Sequence, residues 1–284
     1  MVSPPTQRPS RRRFLRAGGG LAAAFGLAGC VISMEPYTET VDRSFDSGDA
    51  EELVVQTDSG DVSLTASDGD AVSGTIRKES RSGEDALDRV TVEGRVEDGT
   101  LTIAPQRPNP RVNVTVSLDL AIPEGLPVAE VASENGDVSA DGVTGDGTYR
   151  SSNGDVDVES VDGFVAVEST NGDVSASEVG GLDGAQTSNG DVTVDVPALR
   201  GDVTCRSSNG DVTAAVPEDL RAAVSLRTSN GDAEVSGVSL TVDESTERRI
   251  EGRLDGSGDG GDDGSAEHTL ELRSTNGDVT LLRL

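Results

Sequence analysis

The sequence predicts an all-β fold, a stacked-coil β-solenoid with about 18–21 residues and two short strands per coil. Three observations carry this expectation. The triplet Asn-Gly-Asp occurs seven times, at Asn135, Asn153, Asn171, Asn189, Asn209, Asn230 and Asn276. The first five intervals are 18, 18, 18, 20 and 21 residues, a period at which each repeat forms one coil stacked on its neighbour. On both sides of each triplet, apolar and polar residues alternate with the period of a strand buried on one face.

The triplets align the interior. Four residues before each Asn stand Val131, Tyr149, Val167, Ala185, Cys205, Leu226 and Leu272. Three after stand Val138, Val156, Val174, Val192, Val212, Ala233 and Val279. A single coil cannot bury this small apolar face, but a stack can. At ~4.8 Å per coil, seven coils extend on the order of 35 Å. Asn and Gly suit the corner because both tolerate positive φ. The Asn side chains are expected to hydrogen-bond along their column. A Ser/Thr column two residues earlier is expected to do the same, since buried hydroxyls need partners. A looser second corner at Asp162-Gly163, Gly180-Gly181, Pro197 and Pro217 takes up the drift in repeat length.

Outside the regular run the pattern weakens. Ser59-Gly60-Asp61 is a degenerate triplet with its interior positions kept. Residues 51–130 therefore read as an irregular N-terminal β part, and 131–284 as the regular solenoid. A polar loop is expected near 244–267, rich in Gly, Asp and Ser, with the Asn276 triplet closing the last coil. Residues 30–50 lack periodicity and read as a flexible tether.

The start of the chain carries an address. Ser10-Arg11-Arg12-Arg13-Phe14-Leu15-Arg16 resembles a twin-arginine export signal, with Arg11, Arg12, Phe14 and Leu15 as its recognition residues. About 12 apolar residues follow, too few to span a bilayer as a helix. They end in Leu27-Ala28-Gly29-Cys30, which resembles a lipobox and implies cleavage before Cys30 and lipid attachment to its sulfur. Residues 1–29 are then a signal, and the chain is anchored outside the cytoplasmic membrane. An uncleaved anchor is the alternative.

Composition narrows the partners. The formal net charge is −29, and Lys78 is the only lysine. Acidic surface with arginine in place of lysine resembles proteins of extreme halophiles, where molar salt shortens the Debye length to ~3 Å. Such charge excludes nucleic acid and anionic lipid headgroups as direct partners and favours diffuse counterions. Disorder is the competing reading of this composition, but in-phase interior columns across seven copies oppose it.

No catalytic, cofactor or metal site is expected. His268, the only histidine, has no nucleophile or carboxylate placed beside it. The triplet Asp residues form a column that could attract a cation, yet a turn role accepting backbone N–H groups explains them. Cys205 falls in the interior column and reads as a small core residue. Arg200-Gly201-Asp202 matches a short cell-attachment tripeptide at a loose corner, too brief a match to carry function. Asn113-Val114-Thr115 is a candidate glycosylation sequon. An outward row three residues before each Asn contains Arg206 and Arg227, expected as neighbours on adjacent coils and able to fork a carboxylate-bearing partner.

The repeated Ser/Thr-Asn-Gly-Asp-Val and the closing Arg273-Ser274-Thr275-Asn276-Gly277-Asp278-Val279 resemble the DUF4097 family of β-strand-repeat proteins over roughly residues 45–284. The resemblance implies a candidate adhesin and transfers no catalytic residue. The expected function is a lipid-anchored, non-enzymatic surface protein binding a glycan, a cell-wall layer or a surface protein. An accessory or sensory ectodomain of an envelope-stress system is the alternative. A polysaccharide-active β-helix enzyme is more remote, because past Cys30 the aromatics are only Tyr37, Phe45, Tyr149 and Phe164.

Overall fold

A computed structural model describes residues 35–109, 112–256 and 268–284. The export residues Arg11, Arg12, Phe14 and Leu15, the lipid site Cys30, and most of the Gly/Asp-rich segment lie outside the described residues.

Each repeat contributes one strand before its Asn and one after it. The strands before the triplet join a 12-stranded sheet and those after it an 11-stranded sheet. Within the repeats the pairing is parallel and equivalent residues stack. Tyr149 lies beside Val131 and Val167, and Val156 beside Val138 and Val174. This architecture is a β-solenoid with two strands per coil.

The Asn-Gly corner sets the register. Gly190 has φ of 151°, and a Cβ there would sit 2.2 Å from the backbone oxygen of Gly172 in the preceding coil. Only glycine permits that approach. The neighbouring Asn residues then meet side chain to side chain. Asn153 Nδ2 donates to Asn135 Oδ1 at 3.0 Å, and the ladder continues at 2.9–3.0 Å through Asn171, Asn189, Asn209, Asn276 and Asn230.

The core lies between the two sheets. The column from Val131 to Leu226 is at most 1 % exposed, so each Val side chain there contributes about 1.5–3 kcal/mol relative to exposure. Buried hydroxyls run beside it. Ser151 donates to Gly136 O at 2.8 Å, and Ser169, Thr187, Ser207, Ser274 and Thr228 each repeat this bond to the glycine of the adjoining coil. Each such bond is worth about 1 kcal/mol net. Tyr149 is fully buried in the same column, and its hydroxyl has no partner among the described residues.

Coil order departs from chain order at one end. Thr269–Asn276 pairs with Val203–Arg206 on one side and with Arg221–Asn230 on the other. Val279–Arg283 likewise lies between Val212–Val216 and Ala233–Ser236. The Asn276 coil therefore sits inside the stack, and the Asn230 coil is terminal. The expectation that Asn276 closes the last coil is corrected. The cause is a β-hairpin, Leu240–Thr246 with Arg249–Asp255, which pairs antiparallel with the outer edge of Arg221–Asn230. That edge is then occupied, and the returning chain fills the inner one. The polar loop expected from 244 is accordingly a hairpin as far as Asp255, with its turn at 247–248.

The other end is also capped by antiparallel strands. Ser59-Gly60-Asp61 stacks in register with the Asn135 coil, with Val62 beside Val138. Thr100–Gln106 and Thr115–Pro123 extend the two sheets in parallel. Beyond them, Thr91–Glu97 covers one sheet and Val72–Ser80 followed by Tyr37–Phe45 the other. The tether expected across 30–50 is thus wrong for Tyr37–Phe45, a nine-residue strand whose Phe45 is buried. No helix among the described residues is long and apolar enough to cross a membrane.

Candidate functional site

Strand alternation sends every second residue of the 12-stranded sheet outward. Two such rows, three residues and one residue before the Asn corner, run side by side across successive coils. The first reads Gln56, Ala132, Arg150, Glu168, Gln186 and Arg206, and the second Asp58, Glu134, Ser152, Thr170, Ser188 and Ser208. With Ala104 and Pro105 they line a continuous groove of about 740 Å³. Its lining is hydroxyl, amide, carboxylate and guanidinium.

Ion pairs fix one end. Glu130 accepts from Arg150 Nη2 at 2.5 Å and from Gln56 Nε2 at 3.1 Å. Arg107 reaches Asp58 and donates to Val114 O at 2.8 Å. At the far end Arg206 has no ion-pair or hydrogen-bond partner for its guanidinium among the described residues. The expected pairing of Arg206 with Arg227 is corrected, because the inserted coil places Arg273 between them. Arg227 is engaged instead, donating to Glu251 at 2.5 Å and to Ser225 Oγ at 3.0 Å. Glu251 also accepts from Arg249, and these two guanidinium bonds, Arg249 first, hold its carboxyl below the usual range.

The other singled-out residues have local roles. Every triplet Asp except the terminal Asp232 accepts the backbone N–H of its counterpart on the adjoining coil, as Asp137 Oδ1 does from Asp155 N at 2.9 Å. Cys205 is fully buried, and desolvation pushes its thiol up to about 12. His268 uses its backbone carbonyl to accept from Ala223 N at 2.9 Å. The tripeptide at 200–202 is occupied by packing. Arg200 donates Nε to Asp183 at 2.8 Å, also reaches Asp146, and stacks 4.5 Å above the Phe164 ring, while Asp202 accepts Thr269 N at 2.7 Å. Asp146 is held below its usual range by the Phe164 N–H first and by Arg200 second. Asn113 is exposed, as a glycan acceptor must be. Among the described residues no group of His, Cys, Asp and Glu is arranged to hold a metal ion.

Sequence reasoning missed the groove itself. Its outward rows were visible in the triplet alignment, but the wall at Ala104-Pro105 comes from a coil without the triplet.

The fold and groove together define a β-solenoid with a polar lateral face. The chain belongs to the Toastrack DUF4097 family, which it matches over residues 45–282. No curated protein matches it. Among solved structures it is similar to a candidate cell-adhesion protein of Clostridium sporogenes, at 12% identity and a TM-score of 0.35, covering 88% of this chain and 100% of that one. A candidate adhesin of Bacteroides fragilis gives 15% identity and 0.38, covering 87% and 97%. A candidate lipid-binding protein of Parabacteroides distasonis gives 12% and 0.31, covering 86% and 96%.

Proposed function

We propose that this chain is a non-enzymatic surface-binding protein, of adhesin type, lipid-anchored through Cys30 outside the cytoplasmic membrane. It holds an extended, hydroxyl-rich polymer, a glycan, along the lateral groove. The observation that supports this reading most directly is the groove's form. It crosses six coils without interruption, and its polar lining repeats at the strand spacing, matching a polymer rather than a compact metabolite. The Ser and Thr hydroxyls, Gln186 and Glu168 supply both donors and acceptors for sugar hydroxyls. The acidic surface disfavours nucleic acid and leaves counterions diffuse.

The test is binding of the purified full-length chain to cell-envelope polysaccharides in molar potassium chloride. Ser188 and Thr170 are exposed in the groove, so Ser188→Trp and Thr170→Trp fill it without touching the core. Binding by the parent and its loss in both variants supports the reading. Parent-like binding by both variants refutes the groove, and retention by surface proteins alone replaces the glycan.

A further inference from the structure

Asn-Gly is the peptide sequence most open to internal attack by backbone nitrogen on the Asn side-chain amide, because glycine has no Cβ to obstruct the approach. In six of the seven triplets that nitrogen is occupied. The N–H groups of Gly136, Gly154, Gly172, Gly190, Gly210 and Gly277 donate to the Asn carbonyl of the adjoining coil at 2.9–3.0 Å. Gly231 belongs to the terminal coil. Among the described residues its N–H makes no hydrogen bond.

Asn230 differs from the others in a second way. Each other ladder Asn has its Oδ1 bonded by a neighbouring Nδ2, as Asn276 Oδ1 is by Asn230 at 3.0 Å. Asn230 Oδ1 accepts nothing within the ladder. The interior beneath is also thinner, since Ala233 and Val235 are only partly buried whereas Val192 and Val194 are sealed. Local sequence does not account for these differences. Thr187-Ser188-Asn189-Gly190-Asp191 and Thr228-Ser229-Asn230-Gly231-Asp232 are identical pentapeptides in different coils.

We propose that Asn230 is a deamidation site, and that stacking suppresses the same reaction at the other six triplets. Gly231 N loses its proton and bonds to Asn230 Cγ. The Cγ–Nδ2 bond breaks, ammonia leaves, and a five-membered succinimide forms. Water then adds at either carbonyl, giving aspartate or isoaspartate, with no change of oxidation state. The product carboxylate replaces an amide donor that faced Thr275 O and Asn276 Oδ1, so acceptors now oppose acceptors. Isoaspartate further lengthens the backbone and shifts Ala233–Ser236 against Val279–Arg283. The terminal coil loosens while the coils from Asn135 to Asn209 remain stacked.

The test uses the full-length chain, incubated at mildly alkaline pH in molar potassium chloride, then digested and mapped by mass spectrometry with isoaspartate detection. Asn230 is expected to react at least about tenfold faster than Asn189, because opening a paired coil costs more than opening an unpaired end. In denaturing urea the two rates should converge, since the pentapeptides are the same. A smaller folded-state difference, a faster reaction at any other triplet, or an Asn230 excess that persists in urea overturns the proposal.

Discussion

Replacing Gly190 with alanine should break the stack at its middle. The new Cβ would lie 2.2 Å from Gly172 O and 2.5 Å from its carbonyl carbon, both backbone atoms that cannot swing aside. At φ of 151° a side chain adds conformational strain of about 1–3 kcal/mol. Relieving the overlap means separating two coils. That weakens the bonds from Gly172 N to Asn189 O and from Thr187 Oγ1 to Gly172 O, at about 1 kcal/mol each. The expected loss is about 3–5 kcal/mol, a large share of the roughly 5–15 kcal/mol available to a domain. Gly184→Ala is the control, because its Cβ would meet only Thr204 O at 3.8 Å. Urea unfolding followed by circular dichroism in molar potassium chloride measures both. If Gly190→Ala unfolds at the same urea concentration as Gly184→Ala, the close stacking of the glycine corners is wrong.

Tyr149→Phe should leave stability unchanged or raise it by about 1 kcal/mol in the same assay, since it removes a buried hydroxyl without a partner; a clear loss would mean the hydroxyl is bonded. Val174→Asp should abolish cooperative unfolding, because it places an unpaired charge at a site 1 % exposed; a variant as stable as the parent would place that column outside the core. Deleting residues 268–284 should expose the inner edges of the Val203–Arg206 and Arg221–Asn230 strands and bring fast amide exchange to both, whereas unchanged protection would contradict the inserted coil. The Asp146 carboxyl lies below its unfolded value of 3.8, so its contribution is complete above that pH and fades as pH falls through the lower folded value; Asp146→Asn should flatten stability in that window alone. If Cys30 carries the proposed lipid, Cys30→Ser should abolish lipid labelling and membrane retention, and unchanged labelling would refute that anchor.

The corner chemistry and both core columns were legible because each repeat carries them locally: a triplet, a hydroxyl two residues before it, and apolar positions at fixed offsets. The two ends were not. Leu240–Thr246 is nearly all exposed, and Tyr37–Phe45 buries little beyond Phe45. A strand wetted on both faces has no period-two pattern to reveal it, so these segments read as loop and tether. The position of the Asn276 coil was hidden for a different reason. Triplet spacing reports that coils exist, but adjacency along the chain stands in for adjacency in space only while every connection is short. The stretch between Asn230 and Asn276, a separation of 46, holds a hairpin that takes the outer edge. The Arg206–Arg227 pairing failed with that assumption. The guanidinium of Arg206, without a partner among the described residues, and the wall at Ala104-Pro105 are three-dimensional facts with no sequence signal.

The inserted coil also bears on how such a chain can lengthen. From Asn135 to Asn209 every coil is joined to the next by its own loop, so a duplicated repeat adds one layer and leaves both ends as they were. Beyond Asn209 the next layer comes from a distant stretch of the chain, and its ladder contact with Asn209 spans 67 residues rather than 18. Bringing such stretches together costs about 1 kcal/mol more in loop closure than one further repeat would. A repeat duplicated there would have to enter between strands already committed to each other. Growth of the groove is therefore confined to the middle of the molecule, and relatives with longer or shorter faces should differ in repeat number there while keeping the crossed end.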